Sequence, residues 1–418
     1  MIKFLKENYS NLFAITNVFI LGGIIVAEKA PAILSIAMGS QLLCILLFTQ
    51  PKSILRNLLS DKGLFIFCFG YLFLLSSFFY SNNYNYLFER LQIKIPLLIA
   101  PIIWASAPVF DLKRIRLVVF SFTGIIFITA SGIILNYLMH YDAVNQMYLE
   151  SKIMPGPINH IRFSLLVVFI IYMIFNHLKY NLNFKNTLET KLLATIGILL
   201  IIFLHVYSVR SGLLALYCII GLTLFNHLIH TKNFKQITIA GFCFILIGLI
   251  SFAVSPTMRN KFVNTKLDVN VYKNNQDPNY NSLSTRMVSY KTGLQIFQSN
   301  ILWGCGLGDL KDENDALFKS QYPTIETPII PHNQFLYYLA ATGLVGFLVF
   351  CFTFISVPLL DQYFRYEYLQ VVYLTLILAF QFEAMLETQI GVAVAITLIF
   401  ISRHLVKSKK IIVLNKEF

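Results

Sequence analysis

Charge is what this 418-residue chain lacks most: Asp, Glu, Lys and Arg supply 13% of it against 57% hydrophobic residues, and the mean hydropathy is +0.68. A soluble domain carries about a quarter charged residues, so that class is excluded and a polytopic membrane protein is implied. Cysteine is scarce as well. The six, Cys44, Cys68, Cys218, Cys243, Cys305 and Cys351, are scattered, only Cys305 lies outside the apolar runs, and no C-x-x-C spacing occurs. This argues against a disulfide scaffold or a zinc site and leaves them as small core residues. No small-residue cleavage site follows the first apolar run, so no separate signal peptide is expected. Acidic residues are outnumbered 20 to 33 by Lys and Arg, for a formal charge of +13. Much of that excess is topological, so no nucleic-acid partner is read from it.

What is present is a series of apolar runs. A spanning helix needs about 20 mostly apolar residues, and about twelve such runs start near residues 11, 31, 63, 93, 117, 160, 192, 213, 237, 334, 369 and 389. The expected fold is all-α and polytopic, with about 12 transmembrane helices and one long outer loop. With the N-terminus in the cytoplasm, most Lys and Arg fall inside: Lys3, Lys6, Lys52, Arg56, Lys62, Lys113, Arg114, Arg116, Lys179, Lys185, Lys191, Lys232, Lys235, Arg365 and the tail from Arg403 to Lys416. Both termini are therefore expected to be cytoplasmic. Four segments follow: an N-terminal scaffold over 1–158, further spans over 159–255, the long outer loop over 256–331, and the C-terminal spans with a basic tail over 332–418.

Several polar residues interrupt this pattern. Arg210 lies in LHVYSVRSG between two long apolar runs, where a guanidinium is costly unless an anion or a water-filled cavity receives it. It either caps the preceding helix or binds an anion, for which Ser208, Ser211 and Gly212 suit a close approach of phosphate. His160 and Arg162 follow Pro155 and Pro157 at a helix start on the same face, as an anion site or as interfacial anchors. Arg90 and Lys94 flank another outer helix start, where they either offer cations at the outer membrane edge or snorkel to the interface.

In the long loop, Asp268 to Asn281 reads as flexible surface. Ser284 then reads as the N-cap of an amphipathic helix with Met287, Tyr290, Leu294 and Phe297 on one face and Arg286 in its first turn. Gly304, Gly306 and Gly308 form a turn or offer backbone N–H groups to an anion; without a preceding strand they are no dinucleotide fingerprint. The loop closes on Pro331, His332 and Asn333. A helix N-terminus keeps His332 neutral near pH 7 and able to take a proton, while Asn333 suits a cap. Glu383 and Glu387 are expected one turn apart on one face of a late spanning helix, fixing the outer arginines or relaying protons.

The alternation of spans puts Arg162, Arg210, Arg286, His332 and both glutamates at one membrane face. Converging arginines suit a pyrophosphate, and a neutral histidine suits removal of a proton from an incoming hydroxyl. In its SVRSG, TRMVSYKTGLQIF, WGCGLGD and PHNQFLYYLAATGLVG segments the chain resembles the O-antigen ligase and O-antigen polymerase family of bacterial membrane glycosyltransferases, over roughly 159–350.

The resemblance implies a helical transferase of the C superfamily in the bacterial inner membrane, with a periplasmic active site. It works without nucleotide sugar, without an obligatory metal and without another cofactor. Its partners are a polyprenyl-pyrophosphate-linked glycan donor, a lipid A-core or other glycan acceptor, and membrane lipids. His332, Arg210 and Arg286 would be catalytic, Arg162, His160, Ser211 and Asn333 would bind substrate, and Glu383 and Glu387 would support them. The implied reaction is a single inverting displacement, with His332 as general base or only as positioner of the acceptor. The acceptor separates a ligase from a polymerase, and transfer onto protein is a further variant. A lipid-linked oligosaccharide flippase is the alternative of another class. Against it, no internal repeat pairs the first six spans with the last six, and no broken helices fall at matching positions.

Overall fold

The computed structural model describes residues 2–150, 152–179, 187–273, 282–360 and 362–414. Residues 274–281 of the expected flexible surface lie outside these, as do Lys185 and Lys416 of the orientation argument. Among the described residues all regular structure is helical. Its helices are α1 (Ile2–Val26), α2 (Pro31–Phe48), α3 (Pro51–Ser60), α4 (Lys62–Leu74), α5 (Tyr84–Ala105), α6 (Leu112–Met139), α7 (Tyr141–Leu149), α8 (His160–Lys179) and α9 (Thr187–Tyr207). There follow α10 (Arg210–Thr231), α11 (Phe234–Val254), α12 (Pro256–Lys273), α13 (Ser282–Ser299), α14 (Leu310–Gln321), α15 (Gln334–Leu360), α16 (Glu367–Phe382) and α17 (Gln389–Leu414).

Each of the twelve apolar runs falls on a helix. Among the described residues, ten helices are long and apolar enough to cross a membrane, and α16 is apolar but shorter. The remaining run lies in α5, which carries Glu89, Arg90 and Lys94. Helices suit this setting because each satisfies its own backbone groups where hydrocarbon offers no partner. The inner pair is α8 and α17, with 83% and 94% of their apolar windows buried. The most hydrophobic span, α11, buries none of its window. Lipid is as apolar as leucine, so hydrophobicity alone gives a helix no reason to seek the middle.

Hydrogen bonds sort the helix ends into two groups. At one end Tyr9 Oη donates to Ser106 O (2.7 Å), Ser356 Oγ to Gly63 O (2.9 Å) and Asn226 Nδ2 to Gln370 Oε1 (2.9 Å), and Arg403 pairs with Asp61. At the other, Asn159 N donates to Glu28 Oε1 (2.6 Å), Asn83 N to Asp309 Oδ1 (2.7 Å), Tyr148 Oη to Tyr207 O (2.7 Å) and Tyr290 Oη to Gln381 O (2.9 Å). The second group holds the starts of α8, α10 and α15 and the helices α12 to α14. It is the site end.

Four expectations need correction. First, 256–331 is largely helical: α12 occupies the start of the stretch read as flexible surface, and Asp268 on it is fully buried. Secondly, Ser284 is not an N-cap but lies inside α13, where its Oγ donates to Asp268 O at 2.8 Å and docks α13 on α12.

Thirdly, α5 starts at Tyr84, capped by Asn83 Oδ1 accepting from Tyr86 N (3.0 Å), so Arg90 and Lys94 lie within it. They do not snorkel: Lys94 is fully buried against Glu387, and Arg90 Nη1 donates to Glu387 O at 2.9 Å.

Fourthly, Glu383 and Glu387 do not share a helical face. The backbone leaves the helix at Glu383 (φ −152°, ψ 141°), makes a single 3₁₀ turn over Met385–Glu387, and resumes at Gln389. Such a break survives at depth only when its backbone is satisfied by protein. Here Leu386 N donates to Gln334 Oε1 (2.6 Å), Glu387 O accepts from Arg90, and Glu387 N reaches Ala384 O (3.1 Å).

The glycine run is a docking clip. Cys305 N and Gly306 N donate to Ala340 O (3.0 Å) and Ala341 O (2.9 Å), Leu344 N donates back to Ile301 O (2.7 Å), and Gly308 N donates to Ser81 Oγ (3.2 Å). Its amides are therefore used by the fold. The facing residue, Gly343, interrupts α15 at φ +64°, and a Cβ there would meet the Leu302 carbonyl at 2.3 Å.

Candidate functional site

The turn from α9 to α10 is two residues long. Ser208, at φ +50°, donates from Oγ to His205 O (2.7 Å), and Thr257 Oγ1 at the start of α12 donates to Val206 O (2.6 Å). Arg210 thereby becomes the first residue of α10, after Val209, which offers no side-chain cap. It does not cap α9. A cation at a helix N-terminus is disfavoured by about 0.3–1 kcal/mol, so its position is not explained by the helix that carries it. Gly212 brings α10 against Ser164 of α8, where a Cβ would come within 2.4 Å of Ser164 Cβ. This glycine serves helix packing and not approach to a phosphate. Ser211 Oγ is buried and has no hydrogen-bond partner among the described residues.

Three further helices add charge to the start of α10. At the start of α8, Arg162 is buried and ion-paired with Glu383, where α16 ends. Arg162 Nε and Glu383 Oε2 are also buried and have no hydrogen-bond partner among the described residues. On α12, Lys261 and Asp268 are seven residues apart, two turns along one face. Asp268 stands 3.9 Å from Arg210, and Lys261 is 5% exposed. On α13, Arg286 follows the Ser284 contact that seats the helix on α12.

The charges act on one another across these helices. Arg210, Asp268 and Arg286 act on Lys261, while Arg286, Lys261, Arg210 and Arg162 all act on His160. The cations Arg162, Arg210, Lys261 and Arg286 face two carboxylates, Asp268 and Glu383. Burial, with Arg210 and Arg286 nearby, brings the Lys261 ammonium down to about 8. Burial raises the Asp268 carboxyl and works against the Arg286 charge. This region is short of negative charge.

His332 is brought to the same place by α13. Its backbone N donates to Ser289 Oγ (3.3 Å), and its carbonyl accepts from Tyr290 Oη (3.3 Å). Its Nδ1 lies 3.0 Å from Ile330 O. Only a protonated Nδ1 can use that contact, which assigns Nε2 as the acceptor in the neutral ring. Burial holds the imidazole below its ordinary range; the Ile330 carbonyl opposes this, Arg286 and Arg162 reinforce it, and Glu383 opposes it. A neutral imidazole thus lies within the field of two arginine-bearing helices, α8 through Arg162 and α13 through Arg286.

Of the residues singled out in the sequence, His160, Arg162, Arg210, Arg286, His332 and Glu383 are brought together. Asn333 is beside them, but its Oδ1 caps α15 by accepting from Phe335 N (2.9 Å) and Leu336 N (3.0 Å), while its Nδ2 donates to Gln381 Oε1 (3.1 Å). Glu387 belongs elsewhere, bound by Lys94 and Gln334. Lys261, Asp268 and Tyr290 were not singled out as site residues. The two-turn spacing of Lys261 and Asp268 was the available signal, hidden because the long loop was read without a helix there and Asp268 opened the stretch read as flexible surface.

A polytopic helical membrane protein with a cation-rich cluster and an adjacent neutral histidine at one end is the class these features define. Within it, residues 194–351 match the model of the O-antigen ligase family, and the resemblance to the O-antigen ligase and polymerase family is thereby shown. The matched segment runs from α9 into α15 and contains Arg210, Lys261, Arg286 and His332; His160, Arg162, Glu383 and Glu387 lie outside it. No curated protein matches the chain. The match supports ligase or polymerase activity in general, and with it a glycosyltransferase-like enzyme of a multi-pass bacterial membrane.

Proposed function

We propose that the protein is an O-antigen ligase-like glycosyltransferase. It moves a glycan from polyprenyl pyrophosphate to a hydroxyl of lipid A-core at the periplasmic face of the inner membrane, with inversion. The observation that carries this reading is the surplus of cations beside His332, with Arg162 and Lys261 buried and Arg210 and Arg286 partly buried, and with the His332 Nε2 left as an acceptor.

In the reaction His332 Nε2 takes the proton of the acceptor hydroxyl as its oxygen attacks the anomeric carbon. The bond from that carbon to the diphosphate oxygen breaks, its electron pair passes to the diphosphate, and the configuration inverts. Arg210 and Arg286, with Arg162 held in place by Glu383, receive the charge that develops on the leaving oxygen. A diphosphate is a good leaving group, so no strong general acid is required.

The test is a deletion strain complemented with the wild type or with Arg210→Ala, read on a lipopolysaccharide gel with extraction of lipid-linked glycan. Long lipid-linked polymer accumulating in the deletion, with only wild type restoring transfer to lipid A-core, is the expected result. Accumulated one-repeat units make the protein a polymerase, using the same donor and a second lipid-linked unit as acceptor. Single units retained on the cytoplasmic side make it a flippase. Full complementation by Arg210→Ala, with the protein inserted at normal levels, removes the diphosphate assignment.

A further inference from the structure

Lys261 has no role in the reading above, yet it is among the most deeply placed charges of the site. It is 5% exposed, on the face of α12 that also carries Asp268. The carboxylate that acts on it is Asp268, which is already 3.9 Å from Arg210. The other charges acting on it, Arg210 and Arg286, are positive.

A buried ammonium among guanidinium groups is unfavourable until an anion joins it. A lysine placed for structure looks different: Lys94 is fully buried too, but it is paired directly with Glu387. Without Lys261 the local surplus is one positive charge, from Arg162, Arg210 and Arg286 against Asp268 and Glu383. With it the surplus is two, the charge of a diphosphate diester.

We propose that Lys261 is a further substrate-contacting residue whose ammonium binds the diphosphate of the lipid-linked donor and of the polyprenyl diphosphate left after transfer. The inference rests on the donor assignment of the proposed function. Three helices then hold the diphosphate, α10 through Arg210, α12 through Lys261 and α13 through Arg286. The Ser284 bond to Asp268 O keeps the last two in register. Arginine supplies paired donors to phosphate oxygens, and lysine adds a compact charge free to follow the oxygen on which charge appears.

The experiment is equilibrium binding of polyprenyl diphosphate to the full chain in detergent at pH 7. Loss of a charge-assisted contact weakens binding by about 10- to 100-fold, and this is expected for Lys261→Met. Lys261→Arg is expected to stay within about threefold, because it keeps the charge. If Lys261→Met binds like wild type while Arg210→Ala and Arg286→Ala bind weakly, the lysine proposal is overturned and the donor assignment stands. If wild type does not bind, or if the two arginine variants bind as tightly as wild type, the donor assignment fails and the lysine proposal fails with it.

A second readout needs no charge-removing variant. The ligand's last ionisation, near 6, is complete by pH 8. Above that, the affinity of wild type is expected to fall as Lys261 loses its proton against the constant charges of Arg210 and Arg286, the carboxylate of Asp268 and the His160 ring. Lys261→Arg is expected to hold its affinity over the same range. A flat wild-type profile between pH 7 and 9 overturns the proposal.

Discussion

Two ionic clusters lie on either side of the break between α16 and α17, and they are built on opposite principles. Around Glu387 both carboxylate oxygens are used, one by Lys94 and the other by Gln334 Nε2 at 3.1 Å, and its carbonyl accepts from Arg90. Around Glu383 the pairing is incomplete: Arg162 takes one oxygen, Glu383 Oε2 and Arg162 Nε are left, and Arg210, Lys261 and Arg286 add charge against Asp268 alone. The closed cluster holds an irregular piece of backbone in place. The open one concentrates like charges at a cost to the folded state, and such a cost persists where function requires it. Four residues of sequence separate a carboxylate that stabilises the fold from one that holds an arginine in the site.

Substitutions in the two clusters should therefore separate activity from stability. Arg286→Ala is expected to lower glycan transfer by at least about 100-fold, with no fall in thermal stability in detergent, since it relieves the repulsion of Arg286 with Arg210 and Lys261. Glu387→Ala is expected to destabilise the protein by about 3–5 kcal/mol, because it leaves Lys94 buried without its counter-charge. Replacing both, as Lys94→Met with Glu387→Leu, should recover much of that loss. Transfer rates and unfolding midpoints measured on the same preparations decide the matter. Equal loss of stability in Arg286→Ala and Glu387→Ala would erase the distinction between the clusters.

The open cluster also sets a pH dependence. Burial and Arg286 hold His332 below its ordinary range, so the ring is neutral at pH 7 and is protonated only at lower pH. If His332 is the base, kcat should be flat through neutrality and fall about tenfold per pH unit only below about 6.5, the ordinary histidine value. An acid limb centred above that value would exclude His332 as the proton acceptor, leaving it the positioning role.

How much of this was legible beforehand follows from what hydropathy can carry. Apolar runs located every spanning helix because burial in lipid and burial in protein select the same residues. The alternation of spans then put Arg162, Arg210, Arg286 and His332 at one end without any knowledge of contacts. The path between Phe382 and Gln389 was not legible. QFEAMLETQ has helical spacing, and the break depends on Gln334 and Arg90, which lie 52 or more residues away and satisfy its backbone. Lys261 and Asp268 were missed for the opposite reason: a polar helix covering a site gives no apolar signal of its burial until α13 is placed against it. The glycines were legible as a turn, but their partner Gly343 was hidden in an apolar run.

Asn333 offers the finest division between the clusters, because it stands between His332 of the open one and Gln334 of the closed one. Its two side-chain atoms have separate tasks. Oδ1 caps α15 through Phe335 N and Leu336 N, and Nδ2 donates to Gln381 Oε1 near the end of α16. Asn333→Ala removes both and should cost about 1 kcal/mol of stability, as for other lost N-caps. Asn333→Asp keeps the cap acceptors but cannot donate to Gln381, and its added charge draws on Arg286 and raises the His332 pKa. It should therefore retain the wild-type unfolding midpoint while moving the acid limb of kcat upward by a fraction of a pH unit. A wild-type midpoint with an unmoved limb would assign Asn333 to the helix alone and return the positioning of His332 to Ser289 and Tyr290.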